Sequence, residues 1–208
     1  MNDETAAALP NPGVSAWLSL TYRAKLVRDE NVLILGATGV TGKLAVKIAR
    51  LLGAARVVAA GRNQQALNTL PDLGADATIW LAPSETELSE AFVREGGQSG
   101  FQVVIDYVWG HPAQAFLTAI IRREFAAIQS ETRFVQVGES AAPTITLRAA
   151  VLRSTGIPAR DVLGQSLSAS DGVRRQRGPS DRHGKGPLRI SRTLGSATSQ
   201  AVDLVIIP

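Results

Sequence analysis

A short apolar run, Val32-Leu33-Ile34-Leu35, stops at Gly36-Ala37-Thr38-Gly39-Val40-Thr41-Gly42, and beyond it Leu44, Ala45, Ile48, Ala49 and Leu52 recur at helical spacing. The order is strand, glycine turn, helix. Such a unit aims the helix's first backbone N–H groups, which have no intrahelical partners, at a point beyond the strand. The positive end of the helix dipole points there too, so the place suits a phosphate or pyrophosphate. Gly36 and Gly39 are read as permitting the tight turn and the close approach of backbone to an anion, and Gly42 as letting the helix lie close to its strand. The spacing is GxxGxxG, and what gives it weight is the strand-turn-helix context; the bland alternative is a glycine-rich turn in some other doubly wound fold.

The rest of the chain repeats this alternation. Arg56–Ala60 reads as a second strand ending at Gly61-Arg62-Asn63, with Gly53 closing the preceding helix. A short helix over 64–70 stops at Pro71, and a third strand covers Ala77–Leu81. Ser84 with Glu87 fits a capping box for a helix that Gly96-Gly97 ends. Phe101–Tyr107 is a fourth strand, apolar enough at its centre to be covered on both faces. A helix from Ala113 to about Arg123 follows, with Phe116, Ile120 and Ile121 as core candidates, then a fifth strand at Arg133–Gly138 and a sixth opening over Thr144–Val151. Short connections between alternating strands and helices argue an α/β fold, a doubly wound parallel sheet with helices on both faces. Ligands then belong at the carboxyl ends of the strands.

Four segments are expected. Residues 1–30 form a helical lead-in belonging to an inter-domain region, and 31–165 form the dinucleotide-binding domain. Residues 166–187 are basic and Gly/Ser/Arg-rich, read as a loop or disordered segment, and 188–208 supply C-terminal return strands. Within the lead-in, residues 3–9 read as a short helix halted by Pro10 and Pro12; Ser15 then caps a second one, with Trp17, Leu18, Leu20, Thr21, Ala24 and Leu26 largely on one face. Helices ahead of the first strand of such a domain are most simply explained by an absent N-terminal region.

Composition excludes several chemistries. The chain has no cysteine, which removes disulfides, thiolate zinc ligation and a cysteine nucleophile together. No apolar run is long enough to span a membrane, and Met1-Asn2-Asp3-Glu4 lacks a signal-peptide character, so a soluble cytoplasmic protein without membrane contact is expected. The net charge of +4 lies wholly in the tail: residues 1–165 carry 15 basic and 15 acidic side chains, and 166–208 carry 7 and 3. A nucleic-acid surface would therefore have to be built by a tail without aromatic side chains for base stacking, which makes it the weakest reading.

The end of the second strand bears on cofactor choice. A carboxylate there would accept from both ribose hydroxyls and favour NAD, whereas an arginine pairs with a 2′-phosphate. Gly61, Arg62 and Asn63 include no acid, which points to NADP; the plain alternative is a solvated arginine in a loop. His111 and Trp109 fall at the mouth of the expected cleft, where helix entry and rim packing are the ordinary uses of such residues, and His183 sits alone among polar neighbours.

Several blocks together resemble a known family. Ser15-Ala16-Trp17-Leu18, GATGVTGKLAV at 36–46, ARLLGA at 49–54, VVAAGRN at 57–63, LGAD at 73–76, VVIDYVWG at 103–110, VQVGE at 135–139 and VLRSTG at 151–156 resemble the nucleotide-binding half of medium-chain dehydrogenase/reductases. Within them the resemblance is to the zinc-independent quinone oxidoreductase branch. It implies that Thr38, Gly39, Val40 and Thr41 hold the pyrophosphate of NADP(H), and that Gly61, Arg62 and Asn63 hold the adenosine 2′-phosphate end. Tyr107 and Val108, with Val137, Gly138 and Glu139, would border the rest of the cofactor. It further implies hydride transfer from NADPH to a quinone, enone or other carbonyl acceptor, and a homodimer formed through an edge strand within 144–163. The preceding catalytic domain of such enzymes has no counterpart here, and no catalytic acid, base or metal ligand is assigned.

Two other readings stand beside this one. A non-catalytic NADP-binding module, a truncated regulator or redox sensor, would use the same glycine turn. A short-chain reductase also opens with GATGxxG, but its Tyr-x-x-x-Lys pair is missing: four residues after Tyr107 stands His111.

Overall fold

The computed structural model describes residues 10–81, 84–121, 132–147 and 202–206. Its centre is a parallel six-stranded sheet: β1 (Asn31–Leu35), β2 (Arg56–Gly61), β3 (Ala77–Trp80), β4 (Val103–Asp106), β5 (Thr132–Gln136) and β6 (Val202–Ile206), in the spatial order β3-β2-β1-β4-β5-β6. The strand order turns back between β1 and β4. In a doubly wound sheet the two crossovers leave that point in opposite directions and open a crevice at the carboxyl ends.

Alternation along the strands sorts the core into two layers. Leu33, Leu35, Val58, Ala60, Val104 and Phe134 face α4 (Glu85–Gly96) and α5 (Gly110–Ile121), meeting Leu88, Phe92 and Phe116. Phe92 and Phe116 pack edge to face with centroids 5.4 Å apart, and Phe134 lies 5.9 Å from Phe116. Val32, Ile34, Val57, Ala59, Ile105 and Val135 face the other way, onto α1 (Pro10–Leu18), α2 (Val40–Leu51) and the short α3 (Gln64–Leu67). Helices thus cover both faces, as the alternating pattern requires.

Most expected boundaries hold to within a few residues. Ser84 and Glu87 form the full capping box, the Glu87 side chain reaching back to the Ser84 N–H at 3.0 Å while the Ser84 hydroxyl, with a smaller contribution from its N–H, holds the Glu87 carboxyl below its ordinary pKa. Gly53, at φ +89, follows the last residues of α2. α5 begins three residues before the expected Ala113, with Pro112 in its first turn, where the missing N–H costs nothing.

The lead-in differs from expectation. Pro10 and Pro12 lie within α1 among the described residues, and Ser15 is interior to it rather than its cap; the helix expected at 3–9 lies outside the described residues. The buried face is Ala16, Leu20 and Ala24, while Trp17 and Leu18 are 44% and 47% exposed. Small side chains on this face let the element lie close on α2 and the sheet. A π-helical turn at Ser19–Arg23 carries the bond Ala24 N–H to Ser19 O at 2.8 Å, and the following segment is tied down by Arg133 of β5, whose guanidinium donates to the Ala24 and Lys25 carbonyls at 2.8 and 2.9 Å and pairs with Glu30.

The sixth strand is also not where it was expected. Residues 144–147 form no strand, and the remainder of that segment, including most of the expected dimer edge at 144–163, lies outside the described residues. Ile145 and Leu147 pack on the α4/α5 side of the core, and the Thr146 N–H is taken by the Gln114 side chain at 2.9 Å. The sixth ladder position is filled instead by Val202–Ile206, part of the expected return strands. Residues 3–9, 166–187 and the strand candidate at 188–190 are likewise outside the described residues.

Candidate functional site

A cleft of about 360 Å³ opens at the carboxyl ends of β1, β2 and β4. Gly36, Thr38, Gly39, Val40, Thr41 and Gly42 line one wall, with Gly61, Arg62 and Leu81 beside them and Tyr107, Val108 and Ser140 opposite. The glycine turn is stitched to the neighbouring strand: the N–H groups of Gly36 and Ala37 both donate to the Ala60 carbonyl, at 2.9 and 2.8 Å. α2 starts directly above the turn. Gly39 at its N-cap position offers no side-chain cap, so the N–H groups of Val40, Thr41 and Gly42 have no side chain of that residue to satisfy them.

The three glycines of the motif serve different ends. Gly36 has φ +87, and a Cβ there would stand 2.8 Å from Val108 Cγ1 and 3.1 Å from Tyr107 Cβ. At Gly42 a Cβ would come within 2.3 Å of the Gly36 carbonyl oxygen, so α2 rests on the turn through that position. Gly39, expected with Gly36 to permit the tight turn and the close approach of backbone to an anion, differs from Gly36: φ is −76, and a Cβ would meet only the Gly36 oxygen at 3.6 Å. Nothing within the described chain demands glycine there. The room is left on the cleft side, a cradle that a side chain would enter.

Gly61 faces the turn from β2, where a Cβ would meet Thr38 Cγ2 at 2.4 Å. This contact brings the β2 end and the glycine turn to one rim, and Arg62 follows directly. Its side chain is exposed and forms no ion pair with any described carboxylate, while its carbonyl accepts from the Trp80 indole N–H at 3.1 Å. Asn63 does not line the cleft; its side chain caps α3, accepting from Ala66 N–H at 3.0 Å.

Tyr107, Val108 and Ser140 make the opposite wall, and Asp106, which does not line the cleft, precedes them in the chain. Asp106 ends β4, fully buried, and its Oδ1 accepts from the N–H groups of Val108 and Trp109 at 2.8 and 2.9 Å. Burial pushes its carboxyl up to about 7 against the opposing pull of those two N–H donors. Oδ2 has no hydrogen-bond partner among the described residues, and the same holds for Oε1 of Gln136, its register partner on β5. The hydroxyl of Tyr107 is buried beside that of Ser19, the two not placed for a well-formed hydrogen bond, and burial raises its pKa. That orientation separates it from the cleft and from the role of a reductase tyrosine. Trp109, at φ +55, packs on Phe134 with centroids 6.4 Å apart, and His111 is exposed at the start of α5; neither lines the cleft.

Eight of the twelve residues expected to hold cofactor therefore line this cleft: Thr38, Gly39, Val40, Thr41, Gly61, Arg62, Tyr107 and Val108. Val137, Gly138 and Glu139 do not line the cleft; a Cβ on Gly138 would stand 2.6 Å from the Tyr107 carbonyl oxygen, and Glu139 is exposed. Leu81 and Ser140 enter the lining without a sequence signal, because each arrives through strand pairing or a turn rather than through a motif. Asp106 does carry a signal that motif reading leaves unused, an acid closing an otherwise apolar strand. Among the described residues no group of three His, Asp or Glu side chains is placed to hold a metal ion, and no helix is long and apolar enough to cross a membrane.

Residues 40–165 match the family described as zinc-binding dehydrogenase, more than half of the chain. A probable NADPH-dependent quinone reductase of Emericella nidulans, tdiC, is 34% identical over 137 residues, covering 65% of this chain and 37% of that protein. Among solved structures, the quinone oxidoreductase of Thermus thermophilus, also solved with NADPH, is 29% identical with a TM-score of 0.53, covering 73% of this chain and 44% of that one. The CurK enoyl reductase is 25% identical with a TM-score of 0.58, covering 74% and 42%. The chain thus spans less than half the length of these relatives. It belongs to the zinc-binding dehydrogenase family, and within the medium-chain dehydrogenase/reductase superfamily to the quinone oxidoreductase-like branch.

Proposed function

We propose that this chain is the NADPH-holding half of a quinone oxidoreductase-like reductase. The observation that carries the reading is the pairing, on one rim of the cleft, of an uncapped helix N-terminus over an open Gly39 with an arginine that no described carboxylate neutralises. The cradle at Gly39 fits a group approaching the backbone closely, and the Thr38–Thr41 backbone supplies the N–H donors and dipole end that suit a pyrophosphate. Arg62 binds the 2′-phosphate through charge-assisted hydrogen bonds. Tyr107 and Val108 wall the cleft against water, and Gly138 packs closely on the Tyr107 backbone.

NADPH, when bound, supplies the hydride, and the acceptor is a quinone, enone or other activated carbonyl compound, in keeping with the quinone and enoyl reductases to which the chain is similar. Its own residues bind, orient and exclude water; none is assigned a proton transfer. A second reading, a cofactor-binding module without turnover of its own, draws on the 37% and 44% of its relatives' lengths that the chain spans.

Calorimetric titration of the chain with NADPH and with NADH, repeated on Arg62→Ala, tests both. NADPH binding that the substitution weakens supports the reading, and no binding of either nucleotide overturns it. NADPH consumption in the presence of a quinone then separates an enzyme from a module.

A further inference from the structure

Arg62 is held by more than its own chain direction. Gly61 before it is wedged under Thr38, leaving no room for a Cβ, and Asn63 after it is locked as the cap of α3. Between these points the Arg62 carbonyl accepts from the Trp80 indole N–H at 3.1 Å. Trp80 is the last residue of β3 and the register partner of Gly61, and the next residue, Leu81, donates its N–H to the Gly61 carbonyl at 2.9 Å and lines the cleft. The indole is 44% exposed, a large apolar side chain kept at the rim rather than in either core layer.

We infer that Trp80 is a positioning residue for nucleotide selectivity: by fixing the Arg62 carbonyl it fixes the peptide from which the guanidinium springs, and so aims that cation at a 2′-phosphate. This deepens the proposed NADPH reading and rests on it. An arginine on a free loop spreads its charge over many rotamers and loses side-chain entropy on binding. One rooted on a fixed peptide has less to lose, and the gain is felt only by a ligand carrying the phosphate.

The test is calorimetric titration of the full chain and of Trp80→Phe, which keeps an aromatic ring and deletes the N–H donor, with NADPH, NADH, 2′-phospho-AMP and AMP. Loss of one hydrogen bond's worth of positioning predicts that NADPH and 2′-phospho-AMP bind about five- to tenfold more weakly, while NADH and AMP are unchanged. Trp80→Leu, which also lacks a donor, serves as a second variant should the first not match the wild-type thermal midpoint. Equal weakening of all four ligands, or no change in any, overturns the inference and leaves the NADPH reading standing. A wild-type chain that binds neither dinucleotide, or whose NADPH affinity survives Arg62→Ala, overturns that reading and this inference with it.

Discussion

The carboxyl ends of β1 and β2 and those of β4 and β5 form two sides of one rim, and they are built by opposite means. On the β1–β2 side the surface is backbone: Gly36, Gly42 and Gly61 are packed so tightly that a Cβ on any of them would clash, and the N–H groups of Gly36 and Ala37 are taken by the Ala60 carbonyl. On the β4–β5 side three side-chain atoms that stand apart from the cleft lining, Asp106 Oδ2, Tyr107 OH and Gln136 Oε1, are buried without hydrogen-bond partners among the described residues. Trp109 and Gly110 there take left-handed backbone at φ +55 and +62. Fixed backbone dipoles suit a ligand whose charge is constant. A buried carboxyl oxygen without a donor, Asp106 Oδ2, leaves the β4–β5 side sensitive to protons.

Substitutions can break this contrast. The largest effect is expected from Gly42→Ala, whose Cβ would stand 2.3 Å from a backbone oxygen that cannot swing away; a loss on the order of 3 kcal/mol or more, read by urea denaturation, follows from overpacking of this kind. A loss below about 1 kcal/mol would show that α2 is not seated on the turn.

The β4–β5 side is tested by pH. The folded Asp106 carboxyl titrates near 7, above its ordinary value of 3.8, so its protonated form is favoured by folding. Its contribution is present in full below about pH 4 and is lost as pH rises through about 7. Asp106→Asn keeps an acceptor for Val108 and Trp109 and adds a permanent N–H donor beside Gln136. At pH 8 the variant should be more stable than wild type by on the order of 2–4 kcal/mol, the two converging near pH 4. Parallel stability curves from about pH 4 to 8 would remove Asp106 as the proton-sensitive group.

Gly39→Ala separates fold from binding on the backbone side. With room for its Cβ, stability should change by less than about 1 kcal/mol, while NADPH affinity falls by about tenfold or more because the methyl group enters the cradle. Unchanged affinity would place the pyrophosphate elsewhere. The smallest effect belongs to a site on neither wall: Ser84→Ala dismantles the capping box of α4 at a cost of about 1 kcal/mol and leaves nucleotide binding alone.

Much of this protein was legible before any coordinates. The strand–glycine–helix unit, the capping box at Ser84 and Glu87, and the alternation of the remaining elements are local signals, each completed within a few residues, and they determined the doubly wound class and the cleft wall at 36–42. Their physical basis is short-range: backbone conformation, capping and side-chain periodicity do not wait for the rest of the chain.

What only the tertiary structure decided depends on partners distant in sequence. Pro10 and Pro12 read as helix breakers in the sequence, yet both lie within α1, whose Ala16 is buried with Leu20 and Ala24 in one core layer. Ile145 and Leu147 pack on the α4/α5 core and Gln114 takes the Thr146 N–H, while β6 comes from 202–206. Gly39 resembles a turn glycine in the sequence, and only its φ and its free space distinguish it from Gly36. The Trp80–Arg62 contact and the buried Asp106–Gln136 pair join residues 18 and 30 positions apart through strand register. A sequence displays its own periodicity, but which buried group meets which is set by the sheet that assembles them.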